Sequence, residues 1–146
     1  MIAHTIQLAL APVFVLVAIG NILNLLSTRL GRVVDRARVL QGRHGETEGM
    51  EHDQLVAEIR AIDKRIGLIG SATRLLVISG LSIGVTVAIL FLEEMGNIPL
   101  ETVAAGFFLL AIGLLMAALV LFLREIQAAA AMLRIPRHLL ELERQI

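Results

Sequence analysis

The sequence predicts an all-α integral membrane protein of three transmembrane helices, with helices 1 and 2 extended into a cytoplasmic helical hairpin. Three observations carry that reading. The 146 residues are 57% hydrophobic, with a mean hydropathy of +0.82, against roughly 45–50% apolar residues in an ordinary soluble domain. Three stretches, Thr5–Thr28, Leu75–Leu92 and Thr102–Leu123, carry no charged side chain. All 13 Lys and Arg residues lie between Arg29 and Arg74 or beyond Leu123.

A helix rises about 1.5 Å per residue and a hydrocarbon core is about 30 Å thick, so runs of roughly 18 to 24 residues reach across, the second only just. Backbone amides in lipid must pair within their own segment, which leaves helices for uniformly apolar runs. The first run reads as a mature transmembrane helix, because its first basic residue is Arg29 and a cleaved leader needs a basic start. Helix 1 is expected over about 5–40, since Leu26, Leu30, Val33, Ala37 and Leu40 continue an apolar seam at four-three spacing past the charge-free run. Gly42, Gly45 and Gly49 punctuate a polar turn at 41–50. Helix 2, about 51–93, returns with Leu55, Ile59, Ile62, Ile66 and Ile69, so the two seams form an antiparallel hairpin with Glu58 and Asp63 on its solvated faces. An outer turn at 94–99 holds Asn97-Ile98-Pro99, and Pro99 sits near the start of helix 3, where a missing N–H costs nothing. Helix 3 is expected over about 100–134, broken by Ile135-Pro136. The tail 135–146 reads either as a short interfacial helix or as a frayed end.

Charge sets the orientation. The 29–74 loop and the C-terminal segment hold every basic residue, whereas the 93–101 loop offers only Glu93, Glu94 and Glu101. This predicts an N-terminus outside, with the hairpin and the C-terminus in the cytoplasm. There is no Trp or Tyr to form an aromatic belt, so flanking arginines are expected to anchor the interfaces by snorkelling. The 13 basic and 13 acidic residues balance, and nothing points to nucleic acid. With no cysteine there is no thiolate nucleophile or thiolate metal site.

Gln7-Leu8-Ala9-Leu10-Ala11-Pro12-Val13-Phe14 is followed by Gly20-Asn21-Ile22-Leu23-Asn24 and by Arg29-Leu30-Gly31-Arg32-Val33-Val34-Asp35-Arg36-Ala37-Arg38, with Phe122-Leu123-Arg124-Glu125-Ile126 near the far end. Together these resemble the bacterial membrane-protein family known as domain of unknown function two-seven-two-one, over nearly the whole chain. The resemblance implies a three-helix inner-membrane protein and transfers no activity.

Helix 1 carries a second stripe. Gln7, Phe14, Asn21 and Thr28 recur every seven residues, as do Leu10, Val17 and Asn24. An amide in hydrocarbon needs a partner, which leaves two readings. Either the stripe is glue between helices, or several copies of helix 1 surround a pore. In a pore, Gln7 lies at the outer mouth, Leu10, Phe14 and Val17 form a constriction, and Asn21, Asn24 and Thr28 line an inner vestibule. Arg29, Arg32 and Arg36 lie within about 60° of one another at about 100° per residue; they are read as anion or lipid contacts, with an anionic lipid of the inner leaflet as partner. Gly80 and Gly84 in helix 2, and Gly113 and Ala117 in helix 3, are small-residue pairs expected to help helices pack.

No histidine or charge interrupts the three runs, and His4, His44, His52 and His138 lack metal-ligand spacing. No catalytic, cofactor or metal residue is predicted, and no enzymatic activity. The expected function is a homo-oligomeric, channel-like or structural membrane assembly with helix 1 nearest the axis. The alternative is a small adaptor whose cytoplasmic hairpin binds a protein partner.

Overall fold

A computed structural model describes residues 2–96 and 98–133. Among them all regular structure is helical: α1 is Ile2–Arg43, α2 is Gly49–Gly96 and α3 is Glu101–Met132. Each is long and apolar enough to cross a membrane. The expected break at Pro136 and the tail 135–146 lie outside the described residues.

The helices run further than the expected 5–40 and 51–93, so the hairpin turn is reduced to residues 44–48. Backbone N–H groups of His44 and Glu46 donate to the carbonyls of Gln41 and Arg43 at 3.3 and 3.0 Å, tightening the end of α1. Gly49 opens α2 at φ 67°, a left-handed conformation that a β-carbon would oppose. Across the tip, the His44 and His52 rings meet edge-on at 4.7 Å, and an Arg43 Nη2 lies 2.9 Å from Glu51 Oε1.

Helix α2 is central. The other two pack antiparallel along it and meet one another only sparsely. On α1 the buried residues Thr5, Pro12, Ile19, Leu26, Val33 and Leu40 fall seven apart. On α2, Leu55, Ile62, Ile69, Leu76 and Ile83 do the same. A seven-residue apolar repeat held over this length makes helices wind left-handed about each other. This α1–α2 seam is built from Leu, Ile and Val.

The α2–α3 seam is different. Here Ala104, Ala111 and Ala118 are buried against a face of α2 that carries Ala72, Ser79 and Thr86. Small side chains let backbones approach, the usual route to helix packing in lipid, where apolar burial gives no advantage over the solvent. The Ser79 hydroxyl donates across this seam to the Ala111 carbonyl at 2.6 Å. Thr28, Thr73, Ser82 and Thr86 each donate to the carbonyl four residues back, so their hydroxyls need no other partner.

Register sets how far the hairpin extends past the described end of α3. Arg65 on α2 meets Glu125 on α3, so the last residue of α3, Met132, is level with about residue 58 of α2. Among the described residues, the hairpin then extends about 15 Å beyond the end of α3, at about 1.5 Å per residue.

Candidate functional site: a carboxylate held by two arginines

Glu125 has no exposed surface, although it carries the only charge among the fully buried side chains of the described residues. Its position follows from the pattern. Ala104, Ala111 and Ala118 occupy one slot of the α3 seam, and the next slot, seven residues on, is Glu125. Arg65 stands one slot before Ala72, Ser79 and Thr86 on the facing side of α2, and Arg29 continues the partly buried α1 positions Val15 and Ile22. One heptad slot on each helix therefore delivers its first charged residue to one place, where the charge-free runs of α1 and α3 end.

Each guanidinium closes on one carboxylate oxygen. Arg29 donates from Nε to Glu125 Oε2 at 2.9 Å, and its Nη2 forms an ion pair with the same oxygen at 2.8 Å. Arg65 donates from Nε at 3.1 Å and from Nη2 at 2.9 Å to Oε1. A buried carboxylate is tolerated only when it is both paired and hydrogen-bonded, and two ion pairs with three N–H donors meet that need. The Arg29 guanidinium also lies 5.5 Å from the centre of the Phe122 ring, a cation–π contact. Because α1 and α3 otherwise touch so little, Arg29 is the main polar tie between them.

Above this triad opens a cleft of about 480 Å³ between the three helices. Arg29, Arg32, Arg36 and Arg65 line it with Glu58, and Val33, Ile62, Ala129, Met132 and Leu133 give it apolar walls. Arg36 is held by Glu58, at 2.8 Å from Nε and 2.7 Å from Nη2. Arg32 is exposed and makes no hydrogen bond or ion pair among the described residues. Arg29, Arg32 and Arg36 thus share one cleft, with Arg65 as a fourth member that the sequence pattern did not suggest.

The α1 stripe lies elsewhere. Gln7, Leu10, Phe14, Val17, Asn21, Asn24 and Thr28 are all exposed, on the side of α1 turned away from α2, and Phe14 is 70% accessible. They form one continuous outward face. Gly80 approaches α1, since a β-carbon there would lie 3.5 Å from Leu16 Cδ1 and 3.8 Å from Ile19 Cγ2, but Gly84 has open space. Gly113 and Ala117 are exposed as well, so within the chain α3 packs through Ala104, Ala111 and Ala118 instead. The sequence pattern also passed over Glu125, whose seven-residue relation to those alanines was its one visible signal.

The family described as protein of unknown function DUF2721 matches residues 9–135, a span that includes the buried triad and the α1 stripe from Leu10 onward. The chain belongs to the DUF2721 family. No curated protein and no solved structure matches it. Family membership therefore adds no activity to the geometry.

Proposed function

We propose that the protein is a homo-oligomeric, channel-like membrane assembly of the bacterial inner membrane, with α1 nearest the symmetry axis. The observation that carries this is the exposure of Asn21 and Asn24 on α1. Their side-chain amides have no hydrogen-bond partner among the described residues. Lipid offers such groups nothing, whereas a second copy of the stripe or a water-filled pore satisfies them. The placement of Val17 and Phe14, about one and two turns from Asn21, suits a hydrophobic constriction that gates by dewetting. The distribution of arginine supports insertion with the hairpin in the cytoplasm and the N-terminus outside. The side chain of Arg74 agrees with that frame, since it reaches back toward the hairpin to Ser71 Oγ at 3.2 Å.

The test is ion flux from liposomes reconstituted with the intact assembly, its copy number determined in the same preparation. Flux that rises with Phe14→Ala and changes with Asn21→Leu is expected. Silent vesicles containing a well-formed oligomer would contradict the channel reading.

A further inference from the structure

We propose that the cleft above Glu125 is a binding site for a phosphate-bearing anion, with Arg32 as its principal ligand. The proposal does not depend on copy number or on a pore.

Charge is the first argument. Four guanidiniums line the cleft, and among the described residues two carboxylates answer them, Glu58 at its wall and Glu125 behind it. Arg29 and Arg65 share a single Glu125, leaving one positive charge over, and Arg32 supplies a second because nothing in the described chain pairs with it. A positive surplus attracts a phosphate group, whether singly charged as the diester of a phospholipid or close to doubly charged as inorganic phosphate. Arginine is suited to this task, since its planar fork presents two parallel donors to two phosphate oxygens.

Pre-organisation is the second. Glu125 fixes the Nε and Nη2 edges of Arg29 and Arg65, and Glu58 fixes Arg36 in the same way, so these three cations are already positioned before a ligand arrives. Holding side chains in their bound geometry removes an ordering cost from binding. The third argument is location. The cleft opens where the charge-free runs of α1 and α3 end, at Arg29 and Arg124, which is the depth of lipid headgroups for any chain that spans a bilayer. Its apolar walls, Val33, Ile62 and Met132 among them, accept the glycerol end of a phospholipid as readily as they border a free anion.

Native mass spectrometry of the detergent-solubilised protein tests the site, with phosphatidylglycerol and phosphatidylcholine offered in competition. Phosphatidylglycerol should be retained selectively. Arg32→Gln should weaken retention by roughly tenfold, the scale of one charge-assisted hydrogen bond, without disturbing the fold, since Arg32 has no partner within the described chain. Arg60→Gln removes an exposed charge from α2 outside the cleft and should leave retention unchanged. Glu58→Gln frees Arg36 and should strengthen retention several-fold. Displacement of the lipid by inorganic phosphate would assign the site to phosphate itself, and resistance to displacement would assign it to the phospholipid; either supports the proposal. Equal losses from Arg32→Gln and Arg60→Gln, or no preference for phosphatidylglycerol, would overturn it.

Discussion

Asn24 on α1 and Glu125 on α3 are both polar groups set into apolar helices, and they have opposite surroundings. Asn24 is exposed and lies on the face of α1 that turns away from the bundle. Glu125 is fully buried, with a guanidinium on each oxygen. Polarity does not separate the two residues, since the more polar one is inside. Heptad phase does. Glu125 falls in the same slot as the buried alanines of its helix, and Asn24 falls about half a turn from the slot of Ile19 and Leu26. A polar residue in the packing slot must find its partners within the protomer, and an amide in the opposite slot, which unlike the Thr28 hydroxyl has no bond to its own helix, must find them outside it.

The largest test of that contrast is to empty the buried slot. Glu125→Ala leaves Arg29 and Arg65 facing each other without a counter-charge, and should cost ~3–5 kcal/mol, read as a large fall in the thermal midpoint in detergent. Replacing the whole triad, with Arg29→Leu, Arg65→Met and Glu125→Met together, should recover most of that loss, because uncompensated charge rather than missing volume is the cause. A triple variant as unstable as Glu125→Ala would show that the ionic geometry itself holds α3 in place.

Next comes the small-residue seam that leads into the slot. Ala111→Leu forces bulk between α2 and α3 at a site with no exposed area, and should destabilise by ~1–3 kcal/mol. Ser79→Ala only removes the hydroxyl's bond to the Ala111 carbonyl, a loss of about 0.6 kcal/mol by the average for polar contacts between membrane helices. A larger effect from Ser79→Ala than from Ala111→Leu would mean that the seam relies on hydrogen bonding more than on close approach.

Asn24→Leu should leave the protomer's thermal midpoint almost unchanged while reducing the fraction that runs as oligomer in size-exclusion chromatography with light scattering. The smallest effect is expected at the hairpin tip. Arg43 and Glu51 pair in the open, with side chains 51% and 64% exposed, and Arg43→Ala should change stability by no more than about 0.5 kcal/mol.

Much of this was legible in the residues. Charge-free runs of spanning length announced three helices, and the four-three spacing of Leu26, Leu30, Val33, Ala37 and Leu40 identified the residues of α1 that pack on α2. The arginines on α1 were visible as a group because they share one helix face. What could not be read was their fourth companion: Arg65 joins them only through the antiparallel register of α1 and α2, a relation between distant segments. Glu125 was hidden for a different reason. It stands beside Arg124 just past the last charge-free run, where a charge ordinarily marks the water boundary, and alanine at 104, 111 and 118 is too weakly hydrophobic to announce a seam. Small-residue packing in lipid leaves a fainter periodicity than leucine packing does, although it fixes helix positions just as firmly.

The central claim is that α1 has two working faces, one for α2 and one for other copies of the chain. The absence of cysteine allows a direct measurement: single cysteines placed at Ile19, Asn21, Asn24 and Leu26, oxidised in reconstituted membranes, and scored for disulfide-linked pairs of chains. Pairing at 21 and 24 with none at 19 and 26 is the predicted result. Pairing that peaks at 19 or 26, or that is absent at all four from a preparation shown to be oligomeric, would contradict it.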